Sequence, residues 1–501
     1  MPIIAALTVV GVALRIAYAR GSLFGDELST HYVVAGHGLL DAISIVHTDA
    51  EITPPLYFVA AWLTTRIGLT PELLRLPSLV AGAAAIPLVY LLGARTAGRR
   101  AGIVAAALTA FSPFMAYYST EARGYMVMVV LVLGSTLCLL AAVERGGVVW
   151  WAGYAACVAG AAYTHYTAVF ALLGQFAWVL WAHPRARRAA LLATGAAAVA
   201  FAPWLGGLRG DLRSPTTDIL SALQPFDAGF VRSSLVHWAV GFPYATPPTR
   251  VAVLPGVPAL VALGVTVAVA SAATLARVVR RPVARRAPDR DLVLVVVLAL
   301  SAPVGEALAS AVGSNVLGTR NLAASWPAFA VCLAALLLAA GPRLGAFAAA
   351  LAIAAFAAGG LKLLDAGFGR PDYDAAAAFV ARSARPGDLV VDGASISPAG
   401  IPTALDVAID GRAPVVGLER ADVRYDPFRI LAPAPPAAAV VRRAAVRANG
   451  HALYFVLVPG RPLAGAALAA LPRGFRRDAP RRYPGMTAIE VVRARQTASG
   501  A

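Results

Sequence analysis

Charged residues are scarce in this chain, 14% of its 501 positions, against about a quarter in soluble globular proteins. With 59% hydrophobic residues and a mean hydropathy of +0.70, that scarcity excludes an ordinary soluble domain. Lysine is almost absent, Lys362 being the only one, so the net charge of +17 is carried by arginine. The arginines sit in short clusters between apolar runs, where membrane topology explains them better than nucleic acid does, and no nucleic-acid partner is expected. Cysteine is limited to Cys138, Cys157 and Cys332, all inside apolar runs. That excludes a disulfide framework in an exported domain. No glycine-rich phosphate loop stands between a strand and a helix, which argues against nucleotide-driven chemistry. The first apolar run, Ile3–Ala19, lacks a basic leader and an obvious small-residue cleavage site. It reads as a retained span with a cytoplasmic N-terminus.

Long apolar runs are abundant, many near the roughly 20 residues that cross a bilayer as a helix. Spans are expected at Ile3–Ala19, Leu73–Ala94, Ala101–Tyr118, Tyr125–Val143, Val148–Tyr163, Thr167–Ala182, Ala189–Leu208, Val251–Ala276, Leu292–Val312, Leu322–Ala340 and Gly345–Leu364. Arginine asymmetry orients them. Arg95, Arg99 and Arg100, then Arg145, then Arg185, Arg187 and Arg188, then the run Arg277 to Arg290, and finally Arg343 fall on one side, the cytoplasm. Arg15 and Arg20 break the rule at the outer end of the first span. The apolar stretch Pro54 to Leu69 reads as an amphipathic or re-entrant helix on the outer surface, since a full span there would invert the Arg95–Arg100 cluster. The alternative is a twelfth span.

From about Asp365 the apolar runs shorten to strand length, at Leu389–Val391, Val415–Val416 and Ala452–Val458, with helical stretches at Tyr373–Ser383 and Ala437–Ala448. The expected fold class is therefore a polytopic α-helical membrane protein of about 11–12 transmembrane helices with a small C-terminal extracytoplasmic α/β domain. The boundary divides residues 1–364 from 365–501. Nothing in the tail looks catalytic.

The polar chemistry collects in the outer connections. Asp26 and Glu27 stand in the first outer loop, followed by His31. A carboxylate fixed there can take a proton from an attacking hydroxyl or bind a cation, and a solvated pair capping a surface helix is the plainer reading. Between the third and fourth spans runs Tyr118-Ser119-Thr120-Glu121-Ala122-Arg123-Gly124-Tyr125. Charges at that depth are costly unless paired or used, and residues two apart on a helix do not face each other, so Glu121 and Arg123 each want another partner. Thr164-His165-Tyr166 and Gly318-Thr319-Arg320-Asn321 occupy two further outer turns. Together these groups suit an anionic lipid-linked substrate. His31, His37, His47, Asp49 and Glu51 share the first loop but match no zinc spacing. No metal site is assigned; a divalent cation is the one candidate cofactor.

The order of these motifs resembles the C-type membrane glycosyltransferases, closest to the protein mannosyltransferase and aminoarabinose-transferase-like branch. The resemblance rests on Asp26-Glu27, Pro54-Pro55-Leu56-Tyr57, Arg75-Leu76-Pro77-Ser78 and the Tyr118–Tyr125 run, within about the first 170 residues. It implies a polyprenyl-phosphate sugar as donor, transfer at the outer face, and Asp26 as base with Glu27 its neighbour. Glu121 and Arg123, with Arg320, are then expected near the donor phosphate, and His31, Tyr118, His165 and Tyr166 near substrate. The implied localisation is the plasma membrane, with site and tail extracytoplasmic. A glycan, lipid or protein would be the acceptor, and the bilayer itself a partner. Thr120 and Gly124 depart from the family pattern, which bears on substrate fit. A transporter or lipid flippase is the main rival, but transporters place polar groups near the midplane on broken helices. Here only Glu306 lies well inside a span. A membrane-anchored assembly protein is the second rival, and an anchor does not need acids at the outer turns of so many spans.

Overall fold

The computed structural model of the chain describes residues 1–48, 51–214, 226–241, 256–280, 289–313, 315–395, 401–417 and 437–497. Asp49, Ser314, the start of the span expected at Val251, and positions 281–288 of the arginine run lie outside the described residues. The chain divides into two units: Met1–Ala19 with Gly38–Leu364, and Arg20–His37 with Asp365–Ala501. The second unit thus takes in part of the first outer loop, which a cut at residue 364 assigns elsewhere.

The first unit is helical, and the chain is a multi-pass membrane protein. Among the described residues, seven helices are long and apolar enough to cross a bilayer alone, and an eighth span is counted if a bent pair is taken as one. Pro2–Tyr18 and Ala168–Ala182 are shorter apolar helices, and Val148–Thr164 has 17 residues. The polytopic class holds, while the expected spans are less uniform than the hydropathy suggests. Leu56–Ile67 is also short. At about 1.5 Å per residue a helix of that length reaches well under the roughly 30 Å of hydrocarbon.

The segment expected as one span from Ala101 to Tyr118 is broken. Helix Arg99–Phe111 and helix Pro113–Ser119 meet at 58°. The cause is local: Pro113 has no N–H to give the carbonyl four residues back, and Ser112 leaves helical backbone to cap the second helix through the Met115 N–H. The carbonyls freed by the break are answered by Arg15, only 1% exposed. Its guanidinium donates to the carbonyls of Thr109 and Ala110 at 3.0 Å, to that of Gly11 at 2.9 Å and to Ser119 Oγ at 3.0 Å. Arg15 is therefore a buried brace between the first helix and the break, which explains why it disobeys the arginine asymmetry.

Small residues set the closest helix crossing. A Cβ on Gly102 would stand 2.6 Å from Ala94 N and 2.7 Å from Tyr90 O, and one on Gly93 would stand 2.8 Å from Gly102 Cα. Only glycine lets helices Pro71–Thr96 and Arg99–Phe111 approach this far.

The second unit is an α/β sheet of six strands: β1 Leu389–Gly393, β2 Val415–Gly417, β3 Leu453–Leu457, β4 Phe475–Arg477, β5 Arg481–Tyr483 and β6 Ile489–Gln496. Their order is β2-β1-β3-β6-β4, with β5 also on β6. β1 is parallel to β2 and β3, while β6 runs antiparallel to β3, β4 and β5. All five residues of β3 are buried, as a strand covered on both faces requires. Leu453, Phe455 and Leu457 pack with Val441, Ala444 and Ala448 of helix Ala437–Ala448, and on the other face the Tyr454 ring lies 6.4 Å from Phe379.

Arg15→Met removes the donors from two buried carbonyls, each left unsatisfied at about 1–3 kcal/mol. Thermal unfolding of the detergent-solubilised chain is expected to move clearly downward, with Arg15→Lys recovering part of the loss. An unchanged melting temperature in Arg15→Met contradicts the brace.

Candidate active site

In the first unit, side chains from three separate turns meet around Tyr125. The Tyr118 ring lies 5.4 Å from it and the His165 ring 5.3 Å. The Arg320 guanidinium stands 5.9 Å from its centroid, within cation–π range. Glycine makes this convergence feasible. A Cβ on Gly124 would fall 2.9 Å from Thr164 Cγ2 and 3.1 Å from the Thr164 carbonyl, so the turn before Tyr125 can seat on the turn bearing His165 only because residue 124 has no side chain. The departure from the family pattern at Gly124 is thus a packing requirement of this chain.

Arg123 takes its carboxylate from Glu51. Its two terminal nitrogens meet the two Glu51 oxygens at 2.5 and 2.8 Å, a bidentate pair with 7% and 5% of the side chains exposed. Glu51 is further fixed by the Thr53 hydroxyl at 3.0 Å and the Ile52 N–H at 3.1 Å. The Arg123 guanidinium also lies 5.6 Å from the Phe58 ring centroid. Ser78 donates to the Arg123 carbonyl at 2.9 Å and lies 3.1 Å from the Tyr57 hydroxyl, which donates to the Leu74 carbonyl. The motifs around Tyr57, Ser78 and Arg123 are therefore one hydrogen-bonded assembly. Glu121 is buried on the same turn as Arg123.

Arg320 is held by its own turn. Ser310 Oγ accepts the N–H groups of Val316 and Leu317 at 3.0 and 2.9 Å, Asn321 donates to the Val316 carbonyl at 2.8 Å, and buried Glu306 accepts the Gly318 N–H at 3.5 Å. The one acid well inside a span thus touches the turn that carries Arg320. His165 is pushed down to about 3 by burial, with the Arg123 and Arg320 charges acting the same way; it is neutral at physiological pH. Tyr166 turns to a different set: its hydroxyl donates to Asp211 and accepts from Trp204 Nε1 at 2.9 Å. Burial, then that bond to Asp211, raises its pKa.

In the second unit, Gly25 at φ +61 makes the left-handed turn into helix Glu27–Val34, with Asp26 at its N-cap. Asp26 is half-buried and Glu27 fully buried. Glu27 Oε2 meets Arg370 Nε at 3.2 Å and accepts the Phe24 N–H at 3.3 Å. Ser22 Oγ accepts the Asp374 N–H at 2.8 Å. Burial lowers the pKa of His31, whose Nδ1 has no hydrogen-bond partner among the described residues. Among those residues no three His, Cys, Asp or Glu side chains converge to hold a metal ion.

Of the expected site residues, the structure gathers Tyr118, Arg123, His165 and Arg320 in the first unit, and places Asp26, Glu27 and His31 on one short helix of the second. Glu51 and Arg370 were not among them. The sequence presents Glu51 only among possible metal ligands, and the demand of a buried Glu27 for a cation is the signal that points toward a residue such as Arg370.

Residues 53–206 match the sequence model of a family described as dolichyl-phosphate-mannose-protein mannosyltransferase. No curated protein sequence matches the chain. Among solved structures, the chain is similar to ArnT from Cupriavidus metallidurans bound to undecaprenyl phosphate, at 14% identity, covering 98% of this chain and 97% of that one with a TM-score of 0.42. It is also similar to the archaeal oligosaccharyltransferase AglB from Archaeoglobus fulgidus in complex with an inhibitory peptide and a dolichol-phosphate, at 11% identity, covering 91% and 69% with a TM-score of 0.47. The family match falls on the Pro54–Tyr57, Arg75–Ser78 and Tyr118–Tyr125 motifs, and there the expected resemblance to the C-type membrane glycosyltransferases is borne out.

Proposed function

We propose that the chain is an inverting membrane glycosyltransferase that moves a sugar from a polyprenyl-phosphate donor to an acceptor hydroxyl at the outer face of the membrane. The observation that carries this reading is the gathering of Arg123, Arg320 and neutral His165 about Tyr125, in and beside the segment that matches the family. Two cations and a buried hydrogen-bond donor in a poorly solvated setting suit a phosphate and repel a cation. Arg123 is already paired with Glu51, so it enters as a fixed, half-neutralised donor, and Arg320 adds a second guanidinium beside Tyr125.

In the reaction the acceptor oxygen attacks the anomeric carbon as the bond from that carbon to the phosphate oxygen breaks. Asp26 takes the hydroxyl proton, and Arg320 with Arg123 stabilises the charge that grows on the departing polyprenyl phosphate. One displacement inverts the anomeric centre. Glu27, sealed against Arg370, is a positioning residue: the pair fixes the first residue of the helix at whose N-cap position Asp26 stands. Tyr166, engaged by Asp211 and Trp204, shapes the neighbouring surface. The transporter reading draws no support from Glu306, which accepts the Gly318 N–H of the turn bearing Arg320.

Two outcomes are expected. Arg370→Ala strands a buried carboxylate at a loss of about 3–5 kcal/mol, and adding Glu27→Gln recovers much of it, measured as thermal unfolding of the single and double variants; purely additive losses contradict the pair. Transfer from a panel of radiolabelled polyprenyl-phosphate sugars, in membranes containing equal amounts of each protein, is expected to fall ~10²–10⁴-fold in Asp26→Asn. Equal transfer by wild type and Asp26→Asn sinks the base, and no transfer with any donor by the wild type sinks the enzyme.

A further inference from the structure

We infer that Thr167 holds His165 in the tautomer that carries its proton on Nε2, making the imidazole an obligate hydrogen-bond donor to the phosphate of the lipid-linked substrate and excluding it as a base. The inference deepens the function proposed above and rests on it for the identity of the anion.

The tautomer follows from two bonds to one atom. His165 Nδ1 lies 3.3 Å from the Thr167 backbone N–H and 2.9 Å from the Thr167 hydroxyl. A hydroxyl can donate or accept, but a backbone N–H can only donate. Nδ1 therefore presents its lone pair, and the neutral ring carries its proton on Nε2. Protonating Nδ1 would set two N–H groups against each other, an opposition independent of the charges nearby. Thr167 is itself well placed for the task. It stands at the N-cap position of helix Ala168–Ala182 with its side chain turned to other partners, it is 8% exposed, and its hydroxyl also lies 3.4 Å from the Asn321 carbonyl and 3.8 Å from Met128 Sδ. One residue thus links the imidazole to the turn that bears Arg320.

The surroundings agree with the bonds. The charged groups acting on the ring are the Arg123 and Arg320 guanidinium groups, and the ring packed against it is Tyr125. Neither cation tolerates a third positive charge beside it, so the ring stays neutral while Nε2–H remains a donor. With Nε2 protonated and Nδ1 engaged, the imidazole has no lone pair with which to take a proton from an acceptor hydroxyl. What it offers is one oriented N–H in the company of two guanidinium groups, which fits a phosphate oxygen, in the substrate and more strongly as the leaving group gains charge.

Two readouts test this on the full-length chain. The first needs no donor. In ¹⁵N-histidine spectra, with the His165 signal identified by its loss in His165→Gln, the Nε2-protonated neutral form is expected to persist from pH 8 to pH 5. An Nδ1-protonated or doubly protonated ring in that range overturns the tautomer. The second is kinetic. The amide nitrogen of glutamine reaches the place of Nε2, and that of asparagine the place of Nδ1. His165→Gln should retain most of the wild-type kcat/KM for the donor, while His165→Asn should lose on the order of 10²-fold. Thr167→Ser should behave as wild type, and Thr167→Val should lose several-fold at an unchanged protein level. Equal losses in His165→Gln and His165→Asn, or full activity in both, overturn the donor role even where wild-type transfer confirms the enzyme. A wild type that transfers no sugar fails the proposed function and the phosphate contact together, and the spectra then still decide the tautomer.

Discussion

A charge buried in a chain this apolar persists only with a partner of opposite sign or a full set of hydrogen bonds, and three such arrangements organise the protein. Arg15 answers the carbonyls released where Pro113 breaks a helix. Glu51 and Arg123 close on each other in bidentate fashion. Glu27 and Arg370 form a buried ion pair in the second unit. Each joins segments that are distant along the chain, and each fixes a backbone turn beside a candidate functional group. The apolar packing around them, down to Gly93 against Gly102, supplies cohesion but no such address.

The chemistry inherits this arrangement. Arg123 does not reach for substrate as a mobile side chain; its guanidinium is held before any ligand arrives, so no reorganisation is required as charge develops. Asp26, at the cap of a helix whose next residue is buried, is oriented in a comparable way. In the proposed reaction the base and the phosphate-binding cations would thus stand beside groups that do not themselves react, Arg370 with Glu27 and Glu51 with Arg123.

Much of this was legible in the sequence. The apolar runs marked the helices of the first unit, and the short runs after Asp365 marked β1, β2 and β3 with the helices Tyr373–Ser383 and Ala437–Ala448. The remaining strands were not, for a physical reason: β4 and β5 are Arg-rich and largely exposed, as edge strands guarded by charge are, and β6, though inside the sheet, alternates apolar residues with arginines toward its end. The site was half legible. Spacing said that Glu121 and Arg123 could not satisfy each other, but it could not name Glu51, because pairing across separate turns is a tertiary fact. The same limit hid Arg370, whereas the Thr167 contact with His165 is local, two positions apart, but belongs to no motif. The break at Pro113 was written in the sequence and outweighed by hydropathy.

The account stands on a single displacement at the anomeric carbon with a lipid phosphate as leaving group, and its products carry the evidence. The most direct measurement is the anomeric configuration of the transferred sugar by NMR, together with the lipid released per sugar moved. An inverted anomer with one polyprenyl monophosphate released per transfer is the predicted result. A retained configuration, or release of a different leaving group, would contradict it.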